Sequence, residues 1–313
     1  MFQSKTITVP SAALDLSTQN QCPGIPPDVS FELRISSPTP TQQPSTAVLL
    51  LPFWGGTAST FAPLVSSLQT IAPDATYVSV SYPGTGGAPT PTDDRAETHS
   101  IVAAAGQLLR VLRVLRAEGV CPSNGWVICA HSRSAKVAYA MLGDMANTGA
   151  GSADVKLRAL VLLGPAPLGP LVLPPDLREN SLHAYDSFDR ARWTVENALL
   201  SQSKKLDPDV MDELARDCVR MSPGAKESWL RLGMGFDCTW YLVGLKERFP
   251  KLVVRVYVGG EDQVEAADRV MSQTVMPLRE HGFEVETKVL EGCGHLIPLE
   301  AAEEVARGIA ELL

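Results

Sequence analysis

Three polar residues stand directly after short apolar segments, at points where a chain usually turns. Ser132 follows "WVICAH", Asp262 follows "VVRVYVGGE" and His295 follows "VLEGCG". A serine hydroxyl becomes a nucleophile when a histidine accepts its proton, and a carboxylate holds that histidine in the correct tautomer. These residue types together indicate covalent acyl-transfer chemistry, with Ser132, Asp262 and His295 as the candidate catalytic residues.

The segment around Ser132 reads "AHSRS" over residues 130–134. A nucleophile on a sharp turn between a strand and a helix needs small residues two positions before and two positions after it. Ala130 and Ser134 meet that demand, whereas Ser134 as the nucleophile would place the bulky Lys136 at the second position. The alternative interpretation is that Ser132 is an ordinary helix N-cap, because serine is common there.

The helix predicted after Ser132 supplies a second part of such a site. Backbone N–H groups at a helix N-terminus favour negative charge, so the amide of Arg133 is predicted to face an oxyanion that forms on the substrate. The side chain of Arg133 keeps two open interpretations. It reaches the mouth of a substrate pocket, or it pairs with a carboxylate of the helical lobe described below.

The elements that must position these residues are short apolar runs, continuous rather than alternating. They are "TAVLLLPF", "ATYVSVSY", "GWVICAHS", "KLRALVLLG" and "KLVVRVYVGG". Such runs are typical of parallel strands covered on both faces. Helical patterns lie between them, the clearest from Arg95 to Arg116 and the last from Pro298 onward. This alternation predicts an α/β fold with a mostly parallel sheet. We expect "KTITVP" and "SFELRISS" to pair antiparallel before it, and "SSPTPTQQPSTA" to form an exposed loop.

In an open sheet of this kind, ligand sites lie at the carboxyl ends of the strands. Ser132, Asp262 and His295 each follow a predicted strand, so all three are predicted to meet at one edge of the sheet.

The stretch 168–249 interrupts the alternation, because it contains a proline-rich entry and amphipathic helical patterns but no good strand. It predicts a helical lobe inserted into a core made of residues 1–167 and 250–313. Trp229 and Trp240 of this lobe are candidate substrate contacts. Phe53 and Trp54, which follow an early predicted strand, and Arg133 are further candidates. The alternative is that the aromatic residues of the lobe form its own core.

Composition narrows the class of partner. The chain has 313 residues, is 45% hydrophobic and carries a net charge of −8. The sequence lacks the basic patch of a nucleic-acid binder, so we do not expect a nucleic acid as partner. The arginines of the Arg110–Arg116 segment are predicted to form a solvated helix face. No apolar segment approaches the ~20 residues of a membrane span, and the N-terminal segment lacks signal-peptide features. Six cysteines show no paired spacing. We therefore expect a cytoplasmic protein.

No cofactor or metal is expected from the sequence. A G-x-G-x-x-G after the first strand, a P-loop and metal-ligand spacing are all missing. The expected partner is a small apolar substrate, and the oligomeric state stays open. Of the other histidines, His131 is predicted to have a positional role. His99, His183 and His281 are predicted to lie on the surface or in the lobe.

From the third strand to its C-terminus, the chain resembles proteins of the α/β-hydrolase fold. The resemblance rests on the order Ser, Asp, His and on four segments: "AHSRS", "YPGTGG" with Ser81 in place of the usual acid, "LLLPFWGGTASTFAPL" and "GCGHLIPLEAAEEVARGIAELL". It implies an eight-stranded type of sheet flanked by helices, with a lid inserted over the site.

The resemblance also implies roles for single residues. The backbone amide of Trp54 would complete the oxyanion hole with that of Arg133. Glu261 competes with Asp262 as the acid, and the family pattern favours Asp262 because its acid stands two residues before an apolar residue, here Val264.

The leading hypothesis is a serine hydrolase that cleaves an ester, lactone or thioester of a medium-sized apolar metabolite. Two alternatives stay open. The first is a non-hydrolytic enzyme of the same fold, such as a cyclase, lyase or acyltransferase of secondary metabolism, because Pro52-Phe53 stand where the family has His-Gly. The second is a ligand receptor without catalysis.

Overall fold

The computed structural model describes residues 3–10, 28–37, 44–148 and 155–313. Its centre is an eight-stranded sheet with the strand order β1-β2-β4-β3-β5-β6-β7-β8. The strands are β1 Gln3–Pro10, β2 Asp28–Ser36, β3 Ala47–Leu51, β4 Thr76–Ser81, β5 Trp126–His131, β6 Leu157–Leu163, β7 Val253–Gly259 and β8 Glu284–Leu290. The pairs β1–β2 and β2–β4 are antiparallel, and the other pairs are parallel. The predicted mostly parallel sheet with an antiparallel start is confirmed.

The central strands are continuous apolar runs because both of their faces are covered. Every residue of β3, β4 and β5 is buried. Along β3, Leu49 and Leu51 point into one core cluster, while Val48 and Leu50 point into the other. This division follows from the two-residue period of a strand, which sends successive side chains to opposite faces.

Helices outside the inserted segment cover both faces of the sheet. They are α1 Ala62–Ile71, α2 Ile101–Ala117, α3 Ser134–Thr148, α9 Ala267–Val270, α10 Met276–Glu280, α11 Ile297–Glu300 and α12 Ala302–Ala310. Helices α1 and α12 pack together over one face, and α2 and α3 pack together over the other. The fold is therefore a three-layered α/β arrangement, in which α3 begins directly beyond Ser132.

The helix predicted from Arg95 to Arg116 begins later than expected. Residues Ala96–His99 form a separate 3₁₀ turn, and Ser100 caps α2 by accepting a hydrogen bond from the Ala103 amide at 3.2 Å. The solvated face predicted for the arginines of this helix is wrong for Arg110, which is 1% exposed. Its three guanidinium nitrogens have no hydrogen-bond partner in the part of the chain that the structure describes.

The segment between β6 and β7, which is described in full, contains no strand. Its helices are α4 Pro175–Leu182, α5 Phe188–Thr194, α6 Pro208–Arg220, α7 Pro223–Ser228 and α8 Tyr241–Arg248, with π-helical turns at Val195–Leu199 and Trp229–Gly233. We refer to residues 168–249 as the helical segment. Lys136 of α3 ties it to the core, since the buried ammonium donates to the carbonyls of Gly169 at 2.7 Å and of Phe236.

Two further expectations concern membrane spans and the cysteines. Within the described ranges, no helix is both long enough and apolar enough to span a bilayer. Cys129, Cys218, Cys238 and Cys293 are buried free thiols. Cys22 and half of the predicted proline-rich loop, residues 38–43, lie outside the described residues.

Candidate active site

Ser132 lies on a strained turn between β5 and α3. Its φ is 56°, and it is the one non-glycine residue with positive φ in the described ranges. The Ser132 amide donates to the Leu163 carbonyl of β6 at 2.9 Å, and the Ser132 carbonyl accepts from the Ala135 amide at 2.9 Å. Left-handed backbone costs a non-glycine residue free energy and is common at functional sites. The turn therefore holds the hydroxyl in one place at the carboxyl end of the sheet.

The positions two residues to either side of Ser132 are closely packed, as their small residue types predict. Ala130 and Ser134 are both completely buried. The Ser134 hydroxyl donates to the Pro52 carbonyl and lies 3.0 Å from the Tyr82 hydroxyl. Ser134 is thus engaged inside the core, whereas Ser132 keeps a small accessible surface of 7%.

Asp262 and His295 lie side by side, although each follows a different strand. His295 Nδ1 is 2.8 Å from Asp262 Oδ2, and both side chains are buried. The other oxygen of the carboxylate, Oδ1, accepts from the amides of Val264 and Glu265, both at 2.8 Å. With Nδ1 donating to the carboxylate, Nε2 is the ring nitrogen left to accept a proton.

Glu261, the competing acid, points elsewhere. Its carboxylate accepts hydrogen bonds from the Ser203 amide, at 3.1 Å, and from the Ser203 hydroxyl at the protein surface. The structure therefore places Asp262, not Glu261, against His295.

The electrostatics of the pair favour a basic imidazole. Burial alone lowers the pKa of His295, but the charge and hydrogen bond of Asp262 outweigh it, so that the pKa lies above its ordinary value. A carboxylate that stabilises the imidazolium in this way makes the ring a better proton acceptor during the reaction.

The residue before Ser132 contacts His295 at this edge of the sheet. His131 Nε2 donates to the His295 carbonyl at 2.7 Å, and the two imidazole rings are 5.1 Å apart. The amide of Ala166 donates to the Ser132 carbonyl at 3.2 Å. No hydrogen bond among the described residues joins the Ser132 hydroxyl to the His295 ring. Such contacts are often long without substrate and tighten in the complex.

The geometry agrees with the positional role predicted for His131. Its ring is buried, 5.3 Å from that of Phe53, and burial lowers its pKa well below the ordinary value. A neutral imidazole that donates from Nε2 fixes the carbonyl of His295, and its Nδ1 is buried without a hydrogen-bond partner among the described residues.

The two amides predicted for an oxyanion hole have no competing acceptor. Neither the Trp54 nor the Arg133 N–H donates to another backbone group among the described residues. The Trp54 backbone is held by its carbonyl, which accepts from the Tyr185 hydroxyl at 3.1 Å. Arg133 directly follows the strained Ser132, and Trp54 follows β3 at the same carboxyl edge of the sheet, so these two unpaired amides are candidates for an anion site.

Glu300 is a buried carboxylate next to the candidate site that the sequence analysis missed. It is buried at the end of α11, where Oε2 accepts from the amides of Gly294 at 2.9 Å and Ser201 at 3.0 Å. Its Oε1 accepts from the Leu296 amide at 3.0 Å. One carboxylate therefore binds the loop on both sides of His295 and also fixes it to the helical segment.

Glu265 is a second missed carboxylate next to the Asp–His pair. It is 1% exposed, and Oε2 lies 3.2 Å from Arg269 Nε. Burial raises its pKa to about 7, with the Arg269 charge opposing that rise. Arg269 is four residues away along the chain, so this pair is local, whereas the burial of Glu265 beside Asp262 and His295 is a feature of the tertiary structure.

The predicted aromatic contacts have different surroundings. Phe53 is 3% exposed and lies beside His131, and Trp54 packs against Tyr185 with ring centroids 4.5 Å apart. Trp229 is buried in the main core. Trp240 is 57% exposed and stacks on Tyr241, so its ring has no enclosed contact to offer.

The remaining three histidines differ in their exposure to solvent. The prediction of a surface position is wrong for His99, which is 5% exposed, with Nε2 2.8 Å from Asp94 Oδ1. His183 is exposed, and His281 is partly exposed. In the described ranges, no group of three or more histidine, cysteine, aspartate or glutamate side chains is arranged to hold a metal ion.

A cleft of about 620 Å³ lies away from these residues, at the last strand pair. Its walls include Arg255, Glu286 and Glu311. Arg255 donates to both carboxylates, so the charges of this cleft are already satisfied by one another.

The chain was compared with protein families and with known proteins. Residues 48–308 match the model of the "Alpha/beta hydrolase family". No protein with a curated description matches significantly.

Solved structures share the fold at low sequence identity. Bromoperoxidase from Bacillus anthracis superimposes with a TM-score of 0.71 at 10% identity, covering 91% of this chain and 95% of that one. The 2-hydroxy-6-oxo-6-phenylhexa-2,4-dienoate hydrolase from Rhodococcus sp. strain RHA1 gives 0.67 at 18% identity, covering 100% and 99%. Carboxylesterase CesB from Bacillus subtilis gives 0.67 at 12% identity, covering 99% and 91%.

Proposed function

The chain belongs to the alpha/beta hydrolase family, and on that premise we propose that it is a serine hydrolase acting on an ester, lactone or thioester of a medium-sized apolar metabolite. Ser132 is the nucleophile, His295 the general base and acid, and Asp262 the residue that orients the imidazole. The observation that carries the proposal is the buried Asp262–His295 hydrogen bond of 2.8 Å at the sheet edge where the strained Ser132 turn lies.

Acylation begins when the Ser132 hydroxyl passes its proton to His295 Nε2 as Oγ bonds to the substrate carbonyl carbon. The carbonyl electron pair moves onto oxygen, and the amides of Trp54 and Arg133 stabilise this oxyanion. When the carbonyl re-forms, the bond to the leaving oxygen or sulfur breaks. His295 gives its proton to that group, and Ser132 remains acylated.

Deacylation repeats the sequence with water as the nucleophile. Water gives a proton to His295 and bonds to the acyl carbon, and collapse of the oxyanion breaks the bond to Ser132 Oγ. The proton on His295 returns to Ser132. One water is consumed. An ester gives a carboxylic acid and an alcohol, a thioester gives a carboxylic acid and a thiol, and a lactone gives a single hydroxy acid.

Substrate selection is proposed to lie with the helical segment as a lid. The Glu300 carboxylate and the Leu199 carbonyl, which accepts from the His295 amide at 2.7 Å, join this segment to the histidine loop. Phe53 and Trp54 belong to the same apolar cluster as Leu199 and Leu296 and supply apolar surface at this junction, whereas Trp229 belongs to the main core. The exposed Trp240 is not assigned a place in the pocket.

A fluorophosphonate probe with mass spectrometry tests the nucleophile. We expect the probe to label Ser132 in the native chain, to fail with Ser132→Ala, and to label Ser132 in the matched Ser134→Ala control. Label on another residue, or none in a folded native chain, would contradict the proposal. Turnover in ¹⁸O-labelled water must place one ¹⁸O in the acid product. An unlabelled product would favour the cyclase, lyase or acyltransferase alternative.

A further inference from the structure

The Arg133 side chain carries a charge that the protein itself does not neutralise. We propose that its guanidinium binds a carboxylate of the substrate, so that the enzyme acts on those esters or thioesters whose otherwise apolar acyl chain carries a second, anionic group. This inference rests on the proposed function, because it concerns the substrate of the same Ser132 site.

The guanidinium is enclosed yet poorly paired. Arg133 is 4% exposed, and its Nε is buried without a hydrogen-bond partner in the described part of the chain. Its one hydrogen bond among those residues is weak, from Nη2 to the His99 carbonyl at 3.3 Å. The guanidinium carbon lies 5.3 Å from the centre of the Tyr82 ring. No carboxylate among the described residues pairs with Arg133, so the predicted ion pair with the helical segment is not found.

Neighbouring groups do not supply the missing anion. Burial raises the pKa of Tyr82 to about 12, so its hydroxyl is neutral at physiological pH. Asp94 is the acid on the His99 side, and it is already occupied. One of its oxygens lies 2.8 Å from His99 Nε2 and accepts from the Ser222 hydroxyl at 2.7 Å, and the other accepts from the Gly224 amide at 3.2 Å.

The position of the guanidinium matches that of a ligand contact. Tyr82 directly follows β4 at the carboxyl end of the sheet, and the His99 carbonyl also accepts from the Ser228 hydroxyl of the helical segment at 2.6 Å. Arg133 thus lies between the sheet edge and the helical segment, in the layer where the Ser132 turn lies. The chain position next to Ser132 places the two Cα atoms about 3.8 Å apart.

Burying an unpaired charge is costly, and a bound anion removes most of that cost. A guanidinium matches a carboxylate especially well, because its fork of N–H donors binds both oxygens. The short distance along the chain restricts the substrate further. Its carboxylate must lie a few bonds from the carbonyl that Ser132 attacks, as in a half-ester or half-thioester of a dicarboxylic acid.

A matched pair of substrates tests this inference. The pair is 4-nitrophenyl hydrogen adipate and the same compound with its free carboxylate capped as a methyl ester. We expect the native enzyme to prefer the anionic compound in kcat/KM by at least about tenfold, the scale of one charge-assisted hydrogen bond. Arg133→Met, which keeps the length but removes the charge, should lower that preference by about tenfold or more. Arg216→Met, which removes an exposed arginine of α6, should keep it.

A binding measurement covers the case in which Arg133→Met does not fold. The Ser132→Ala protein, titrated by calorimetry, should bind methyl hydrogen adipate at least about tenfold more tightly than dimethyl adipate, and equal affinities would overturn the inference. If the probe labels Ser132 while the native enzyme shows no preference for the anionic ester, the inference fails and the proposed function stands. If Ser132 is never labelled, the proposed function fails, and the binding measurement still decides whether Arg133 holds an anion.

Discussion

Gly164 lies directly against His295, because a Cβ atom added to Gly164 would stand 3.2 Å from His295 Nδ1 and 3.1 Å from Asp262 Oδ2. The residue follows β6, and its φ of 45° is one that side chains other than glycine rarely adopt. The backbone of the sheet edge thus forms the surface on which the Asp–His pair rests.

Replacing Gly164 with alanine is expected to push the carboxylate and the imidazole apart. The neighbours must give by a few tenths of an ångström, so kcat should fall by up to about 10²-fold, the cost of a misplacement of about 1 Å, with a smaller change in KM because the substrate pocket is not touched. Steady-state kinetics with a 4-nitrophenyl ester measure it. Gly169→Ala is the matched control, since nothing lies within 4 Å of its added Cβ. Equal activity of the two variants would show that Gly164 is not a support for the pair.

Removing the Asp262 carboxylate gives a prediction with two parts. In the native enzyme, kcat/KM should rise with pH through a pKa above the ordinary histidine value of about 6.5, because only the neutral His295 accepts a proton. Asp262→Asn should lower kcat by about 10⁴-fold. Loss of the negative charge should also move the acidic limb of the residual activity to lower pH. Glu261→Gln should leave that limb in place, and a shift there instead would assign the acid to Glu261.

The strands and the candidate triad could be predicted because their signals are local. A parallel strand buried on both faces is apolar throughout, and the residue after it lies at the carboxyl edge. Ser132 and Asp262 satisfy that rule, whereas His295 follows β8, an edge strand in which several residues are polar and exposed. The strained φ of Ser132 follows from the same turn, whose neighbours are small.

The supporting carboxylates could not be predicted, because their partners are distant in sequence or are backbone groups. The turn "YPGTGG" is an example of a carboxylate supplied from a distant part of the chain. Ser81 replaces the acid of the family pattern, and Glu32 of β2 supplies a carboxylate there instead. It accepts from the Ser81 hydroxyl at 3.1 Å and from the Gly87 amide at 3.0 Å. Arg110 was similarly misplaced, because its helical pattern does not reveal what covers that face.

Glu300 is predicted to act as a positioning residue for His295. Glu300→Ala removes the acceptor for the amides of Gly294 and Leu296, so the histidine loop should loosen and kcat should fall by about 10²-fold, with little change in KM. Glu300→Gln should retain part of the activity, because its amide oxygen still accepts.

A pH profile separates this role from a merely structural one. The Glu300 charge helps to raise the pKa of His295, although less than Asp262 does. Glu300→Gln should therefore shift the acidic limb of kcat/KM slightly to lower pH. The control is Glu303→Gln, because Glu303 is an exposed acid of the following helix. If the Gln and Ala variants at position 300 match the native profile and rate, the positioning role is wrong.

Because of the buried Glu265, the free energy of unfolding should fall as the pH rises. Burial raises its pKa from the ordinary 4.5 to about 7, so the folded state binds the proton more tightly than the unfolded state. The stabilisation is fully present below pH 4.5 and is lost as the pH passes through 7, by up to about 3 kcal/mol. Glu265→Gln cannot ionise and should lose less stability between pH 5 and pH 8.

Urea unfolding at these two pH values measures the effect in the native chain and in the variant. Other groups also titrate, so the quantity that decides is the difference between the two proteins in their loss of unfolding free energy. Glu280→Gln, at an exposed position at the end of α10, should behave like the native chain. An equal loss in native protein and Glu265→Gln would mean that Glu265 ionises at its ordinary pKa, with Arg269 as an effective partner 3.2 Å away.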